Sequence, residues 1–236
     1  MADFDVYRQL MATYYDQASH LGYYFDAPEL ARQYDLVYTT EGSWLRDLAV
    51  AMQEMVRGKR VLEMASGHGR WTRYLAEAAS FVLATDASER MLDQARQMVR
   101  VGRMLPAKRC GFLRVDAFEV ERAPGAFDCA VAVNFFQHVP TRRQALFLDV
   151  LHRKLGAGAD VLIAVNRLHR RTRALFYQKP GETDWFDLRQ LRDGSVYEII
   201  DNPFDERRMR ELLEGRGEDL SIRRGAKFDW VRYRVG

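Results

Sequence analysis

The chain has 236 residues, of which 47% are hydrophobic and 29% charged, and its formal net charge is +3. This length is sufficient for one sizeable α/β domain with a lid or an insertion, and the composition is that of a globular protein. The small positive charge does not demand a nucleic-acid partner, and no apolar run approaches the roughly 18 residues of a membrane span. With two cysteines and no secretion signal, the sequence favours a reducing cytoplasm.

The first 57 residues predict a helical cap in front of a main domain at residues 58–236. Aromatic and apolar side chains recur there at helical spacing, and Ser43 is placed to cap a second helix that runs to about Met55. The periodic set of the first helix is Tyr7, Leu10, Met11, Tyr14 and Tyr15.

Residues 61–75, VLEMASGHGRWTRYL, predict a buried strand, a glycine loop and the start of a helix. Gly67 and Gly69 have no Cβ, so a ligand can press against the backbone, and the helix points its free N–H groups at that ligand. A second strand at residues 81–85 ends in Asp86, an acid at a position that can hold the two hydroxyls of a ribose. Loop and acid together predict a nucleoside-cofactor site.

The loop differs from a dinucleotide fingerprint, which needs Gly-x-Gly-x-x-Gly. Thr72 stands where the third glycine belongs, so close approach of a pyrophosphate is disfavoured. Glu63, just before the loop, would also repel a pyrophosphate but suits a ligand with a positive amine. S-adenosylmethionine has such an amine, a ribose and no phosphate.

Strands and helices alternate through the rest of the core. Strands are predicted at residues 60–64, 81–85, 111–115, 127–133 and 159–165, and helices at 70–79, 88–101 and 141–154. This alternation predicts a Rossmann-like parallel sheet with helices on both faces and ligands at the carboxyl ends of its strands. A helix at 205–215 and two strands within 219–235 would complete a mostly parallel sheet of seven strands.

Residues 166–200 depart from this alternation and are the candidate substrate lid, inserted after the fifth strand. They open with an arginine-rich run and continue with aromatic residues. Asp193-Gly194 then predicts the turn of a hairpin between two strand-like runs.

In this order, the motifs resemble those of class I S-adenosylmethionine-dependent methyltransferases. Glu63-x-Ala65-x-Gly67-x-Gly69 is similar to their first motif, although many members have glycine where Ala65 stands. Residues 82–88, 112–120, 127–140 and 154–165 resemble the motifs of the second to fifth strands. The resemblance covers residues 58–166 well and implies S-adenosyl-L-methionine as the cofactor.

The resemblance also implies roles for individual residues. Asp86 would hold the ribose, Asp116 would meet the adenine amino group, and Glu63 would face the amine. Tyr14 and Tyr15 resemble an N-terminal aromatic pair that covers the cofactor, although a helical core stripe is an equal alternative. The candidate cofactor-binding residues are Glu63, Ala65, Gly67, Gly69, Asp86, Ala87, Met91, Asp116, Ala117, Phe118, Asn134, Tyr14 and Tyr15.

A narrower resemblance is carried by three features of the sequence. They are the glycine-loop sequence ASGxGxWTRxL, the His-Val-Pro sequence after the fourth strand and the hairpin sequence RxLxDGxxYEI. These three features are similar to a small bacterial group of natural-product O-methyltransferases that includes a phosphonate O-methyltransferase. Residues 134–137 differ from what this resemblance leads one to expect, so it implies the reaction but not the substrate.

His138 is the candidate catalytic base, because it follows the fourth strand and an imidazole titrates near working pH. The alternative is a structural histidine that packs the loop before Pro140. Arginines could bind an acidic acceptor bidentately, although a run of charges is usually a solvated face. The candidate substrate-binding residues are Phe135, Gln137, Arg167, Arg170, Arg189 and Tyr34.

The sequence therefore predicts a methyltransferase for a small molecule, with an oxygen of an acidic or polar metabolite of secondary metabolism as the acceptor. Methylation of nitrogen or sulfur, an RNA or protein substrate, and a non-catalytic protein that keeps the fold are the alternatives. We expect no metal, no nucleic acid and no membrane partner, a cytoplasmic location, and a monomer or homodimer.

Overall fold

A computed structural model describes residues 2–20, 43–101, 109–167, 176–191, 193–225 and 228–236. Tyr34 and Arg170, two of the predicted substrate-binding residues, lie outside these ranges. The helices are α1 (Ala2–His20), α2 (Ser43–Val56), α3 (Arg70–Ala78), α4 (Glu89–Val101), α5 (Gln144–Leu155) and α6 (Glu206–Leu213). The strands are β1 (Arg60–Met64), β2 (Phe81–Asp86), β3 (Cys110–Arg114), β4 (Cys129–Val133), β5 (Asp160–Asn166), β6 (Phe176–Gln178), β7 (Trp185–Gln190), β8 (Val196–Ile200), β9 (Gly217–Arg224) and β10 (Phe228–Val235).

Seven strands form the main sheet in the order β3-β2-β1-β4-β5-β10-β9. Strands β1 to β5 run parallel, whereas β10 is antiparallel to both β5 and β9. The predicted mostly parallel, seven-stranded Rossmann-like sheet is confirmed. The strand order reverses between β1 and β4, which is where ligands bind in sheets of this kind.

Both faces of the sheet are covered, which explains why its central strands are apolar along their whole length. All five residues of β4 are buried. Helices α2 and α3 pack on one face through side chains such as Met52 and Leu75. Helices α5 and α6 pack on the other through side chains such as Phe147 and Leu212.

The described part of the candidate lid forms a separate antiparallel sheet in the order β6-β7-β8. The predicted hairpin joins β7 to β8, with Gly194 at a φ of 88° and the Asp193 carboxylate accepting the Ser195 N–H at 2.9 Å. A left-handed φ of this kind favours glycine. Within the described ranges, no helix is long and apolar enough to cross a bilayer.

Candidate active site

A cavity of about 250 Å³ lies at the carboxyl ends of β1 to β4, with α1 across it. Its walls come from the glycine loop, the ends of β2 to β4 and one side of α1. The predicted site residues among its lining are Ala65, Gly67, Asp86, Ala87, Met91, Asp116, Ala117, Phe118, Asn134, Phe135, His138 and Tyr15. These residues lie at or beyond the ends of β1 to β4 and on the helices α1 and α4.

The glycine loop combines an open position with a packed one. Ala65, Gly67 and Gly69 all have positive φ, at 47°, 55° and 81°. Within the described part of the chain, a Cβ on Gly67 would meet nothing within 4 Å, whereas one on Gly69 would lie 2.7 Å from the Cα and Cβ of Ala95 in α4. Gly67 thus lines the cavity, while Gly69 allows the loop to pack against α4.

Asp86 is held in the cavity wall by backbone donors. Its Oδ2 accepts the Gly67 N–H at 2.8 Å and its Oδ1 accepts the Ser88 N–H at 2.9 Å. Burial raises the pKa of this carboxyl to about 6. A carboxylate has about four acceptor sites, so these backbone donors leave capacity for ligand hydroxyls.

Glu63 lies behind the loop, away from the residues that line the cavity. The side chain is buried, and its Oε2 accepts a hydrogen bond from the Thr72 hydroxyl at 2.6 Å. Burial raises the pKa of Glu63 to about 8. Instead of the predicted position facing an amine, the structure gives Glu63 a link between β1 and α3, with Thr72 as its partner.

Asp116 lies beyond β3, where it joins a 3₁₀ helix to α1. Its Oδ1 accepts a hydrogen bond from the Phe118 N–H, and its Oδ2 accepts one from the Arg8 Nε–H at 3.0 Å. Arg8 also donates to Glu119 at 3.3 Å, and Phe4 packs edge-on against the Phe118 ring at 4.9 Å. These contacts fix the first turns of α1 over this end of the cavity.

The two tyrosines of α1 have different surroundings. Tyr15 lines the cavity, with its ring centroid 6.4 Å from that of His138. Tyr14 is fully buried in a cluster with Leu191 and Ile199. The structure therefore separates the predicted pair into one cavity residue and one core residue.

Among the residues that the structure describes, two buried oxygens in the cavity lining have no hydrogen-bond partner. They are Asn134 Oδ1 and Ser66 Oγ, and Asn134 also has a positive φ of 58°. A buried acceptor without a partner is costly, and a ligand donor removes that cost. Together with the Asp86 carboxylate, these atoms fit a ligand that carries an amine and a ribose.

His138 lies in a 3₁₀ turn, Phe136–His138, directly after β4. Its ring is buried, and Nδ1 lies 2.6 Å from the carbonyl oxygen of Ile200 in β8. Since a carbonyl only accepts, Nδ1 carries the proton in the neutral ring and Nε2 is its acceptor. Burial lowers the pKa of His138, which favours the neutral ring.

Several predicted substrate-binding residues lie away from the cavity lining. Phe135 lines the cavity and packs on Phe147 at 5.4 Å, but Gln137 is buried outside the lining. Arg167 donates to the Gly225 carbonyl at 3.1 Å.

Arg189 is paired with two carboxylates. It donates to Asp187 at 3.0 Å and to Asp201 at 2.6 Å, and its guanidinium lies 5.8 Å from the centre of the Tyr14 ring. This arginine is therefore held inside the hairpin, in contrast to the predicted role in acceptor binding.

Three further residues that the sequence did not predict help to build the site, namely Arg8, Ser66 and Ser88. Ser88 binds the Asp16 carboxylate of α1 and donates from its backbone to Asp86. No local motif marks Arg8 as a site residue, since two of its three carboxylate partners, Asp116 and Glu119, lie more than a hundred residues away. Within the described ranges, no group of His, Cys, Asp or Glu could hold a metal ion.

The sequence matches known methyltransferases over the part of the chain that holds the glycine loop and the ends of β1 to β4. Residues 61–158 match the family described as "Methyltransferase domain". A demethylmenaquinone methyltransferase of Clavibacter sepedonicus is 33% identical over 109 residues, which are 46% of this chain and 41% of that protein. The chain thus spans less than half the length of this relative.

Solved structures share the fold across almost the whole chain. The DhpI–SAH complex has a TM-score of 0.69 at 23% identity, covering 97% of each chain. The 1,6-didemethyltoxoflavin-N1-methyltransferase of Burkholderia thailandensis, solved with 1,6-didemethyltoxoflavin and S-adenosylhomocysteine, has a TM-score of 0.61 at 19% identity, covering 98% of this chain and 89% of that one. At these identities the likeness establishes the fold.

Proposed function

On the premise that this chain carries a methyltransferase domain at residues 61–158 within the class I methyltransferase fold, we propose that it transfers a methyl group from S-adenosyl-L-methionine to a small-molecule acceptor. The observation that carries the proposal is Asp86. Its carboxylate stands in the cavity wall at the end of β2, fixed by two N–H donors, with acceptor sites left for ribose hydroxyls.

Other residues of the wall complete the cofactor site. The open side of Gly67 admits the methionine part against the backbone, and Asn134 Oδ1 accepts from its amine. Asp116 accepts from the adenine amino group, with the Phe118 and Met91 side chains beside the ring. The remaining cofactor contacts come from Ala65, Ala87, Ala117 and Tyr15.

Three predicted residues support the site from behind. Glu63 fixes the start of α3, Gly69 lets the loop pack on α4, and Tyr14 anchors α1 in the core. Their roles are therefore to shape the cavity.

The cofactor supplies an activated methyl group, so the protein aligns the acceptor, excludes water and removes a proton. His138 is suited to that last role, because burial favours its neutral form and Nε2 is the acceptor atom of that form. A base of this kind favours an acceptor hydroxyl, which must lose its proton, and we therefore propose oxygen as the methylated atom.

An acidic or polar metabolite of secondary metabolism is the proposed class of acceptor. Arg167 and Arg189 have protein partners, whereas Phe135 is in the cavity wall, and Arg170 and Tyr34 stay sequence-based predictions for acceptor binding. Residues 166–200 are proposed as the lid on this side, since β8 contacts the turn that carries His138.

The experiment is a transfer assay with methyl-labelled cofactor and a panel of hydroxylated, amino and thiol acceptors. We expect labelled product from a hydroxylated acceptor, and a loss of about 10²-fold or more in turnover for His138→Ala at neutral pH. An unchanged pH–rate profile for His138→Ala would remove its role as base. No product from any acceptor class would contradict the proposed activity.

A further inference from the structure

Residues 200–202, at the end of β8, bind residues 137–139, which lie in and directly after the 3₁₀ turn that follows β4. Ile200 accepts from His138 Nδ1 at 2.6 Å. The Asn202 N–H donates to the Gln137 carbonyl at 2.8 Å, and Asn202 Nδ2 donates to the Val139 carbonyl at 3.3 Å. The turn is thus bonded to the same short segment before, at and after His138.

The orientation of the Asn202 amide follows from its partners. Oδ1 accepts the Trp185 N–H at 2.9 Å, so this atom must be the oxygen. Nδ2 therefore faces Val139 and the Asp184 carboxylate, which it meets at 3.0 Å. The amide of this buried side chain thus makes three hydrogen bonds, and only one orientation of the amide is compatible with all of them.

Asp184 extends the same network to the far side of the turn. Its Oδ1 also accepts the N–H of Thr141 at 2.7 Å and the Thr141 hydroxyl at 2.5 Å. Asp184 and Asn202 are both buried, and a satisfied buried polar network rigidifies the elements that it joins. The second sheet is therefore fixed to residues 137–141.

We propose that Asn202 is a positioning residue, which fixes His138 as the neutral ring with its proton on Nδ1 and its acceptor on Nε2. The inference rests on the proposed role of His138 as base. Asn202 does not line the cavity, whereas His138 does, so Asn202 acts through the position of the turn and of the Ile200 carbonyl.

The test is nitrogen-15 NMR of the histidine rings, which reports the tautomer of His138 without any acceptor. His138→Gln assigns its signals among the five histidines of the chain. We expect the wild type to carry the proton on Nδ1. Asn202→Ala should change the tautomer ratio by about five- to tenfold towards Nε2–H, as expected for weakening one hydrogen bond.

The control is Asp128→Ala, which removes the carboxylate that accepts the Arg60 N–H and costs stability without touching the turn. It should leave the tautomer of His138 unchanged. Asn202→Ser shortens the side chain but keeps a hydroxyl, and it should give a smaller shift in the same direction if Asn202→Ala fails to fold.

A wild type with its proton on Nε2 would overturn the proposal, as would an unchanged tautomer in both Asn202 variants. Titration with S-adenosylhomocysteine separates this outcome from the failure of the proposed function. Folded Asn202 variants should bind it within about twofold of the wild type, because the network lies outside the cavity wall. If the wild type does not bind it, the proposed cofactor site fails, while the NMR result still decides how His138 is positioned.

Discussion

Alanine at Gly67 or at Gly69 should separate stability from cofactor binding. Both glycines have positive φ, so either substitution costs about 1–2 kcal/mol of backbone strain. Gly69→Ala also forces its Cβ to within 2.7 Å of the α4 backbone at Ala95, and such overpacking adds about 1–3 kcal/mol. The Cβ of Gly67→Ala meets no atom of the described residues within 4 Å, so it adds no comparable clash, but it lies in the wall of the cavity.

The assay is urea unfolding of both variants, paired with calorimetric titration of S-adenosylhomocysteine. We expect Gly69→Ala to lose more free energy of unfolding than Gly67→Ala, by about 1–3 kcal/mol. We expect the order to reverse for affinity, with Gly67→Ala binding more weakly. Equal destabilisation, or a Gly67→Ala variant with unchanged affinity, would refute the assignment of one glycine to packing and the other to the cavity.

Two further predictions concern charged groups around the site. The pKa of Glu63 in the folded chain, about 8, exceeds the ordinary value of 4.5, so the free energy of unfolding should fall as pH rises from about 4.5 to about 8. Glu63→Gln should abolish that fall in the free energy of unfolding, which is worth up to about 5 kcal/mol. Urea unfolding at pH 5, 7 and 9 measures it. Parallel plots of the free energy of unfolding against pH for the wild type and Glu63→Gln would contradict a buried, protonated Glu63. Arg8→Ala removes the two partly buried ion pairs with Asp116 and Glu119, so it should lower the free energy of unfolding by about 1 kcal/mol in low salt. Amide hydrogen exchange should become faster in α1 but not in α5. Unchanged exchange in α1 would show that Arg8 does not hold this helix.

The sequence was sufficient to predict the sheet, because its signals are local. The predicted strand at residues 60–64 and the turn at Asp193-Gly194 appear as expected, since an apolar run and a turn dipeptide each act over a few residues. The acid at the end of β2 was also predictable, because parallel strands bring their carboxyl ends to one edge.

Side-chain direction was harder to predict. Tyr14 and Tyr15 are neighbours on one helix, and only the rotation of α1 on the core decides which of them faces the cavity. Arg189 carried a readable signal, because Asp187 lies two residues away in the same strand and therefore on the same face. Its second partner, Asp201, comes from the next strand and depends on the register of the hairpin.

Asn202 carries no signal that sequence analysis could use. The Asn202 side chain binds Trp185 and Val139, which are separated from it by 17 and 63 positions in the sequence, and no motif includes it. Its buried position shows only once the second sheet is placed against the turn that follows β4. Positioning residues of this kind depend on tertiary contacts between distant segments.

The central claim is that the cavity binds S-adenosyl-L-methionine through Asp86, and calorimetric titration of S-adenosylhomocysteine tests it most directly. The wild type should bind, and Asp86→Ala should weaken binding at least tenfold, or about 1.4 kcal/mol. Asp128→Ala is the matched control, because this acid accepts the Arg60 N–H at the opposite edge of the sheet. It should bind like the wild type, whereas equal affinity of the wild type and Asp86→Ala would contradict the account.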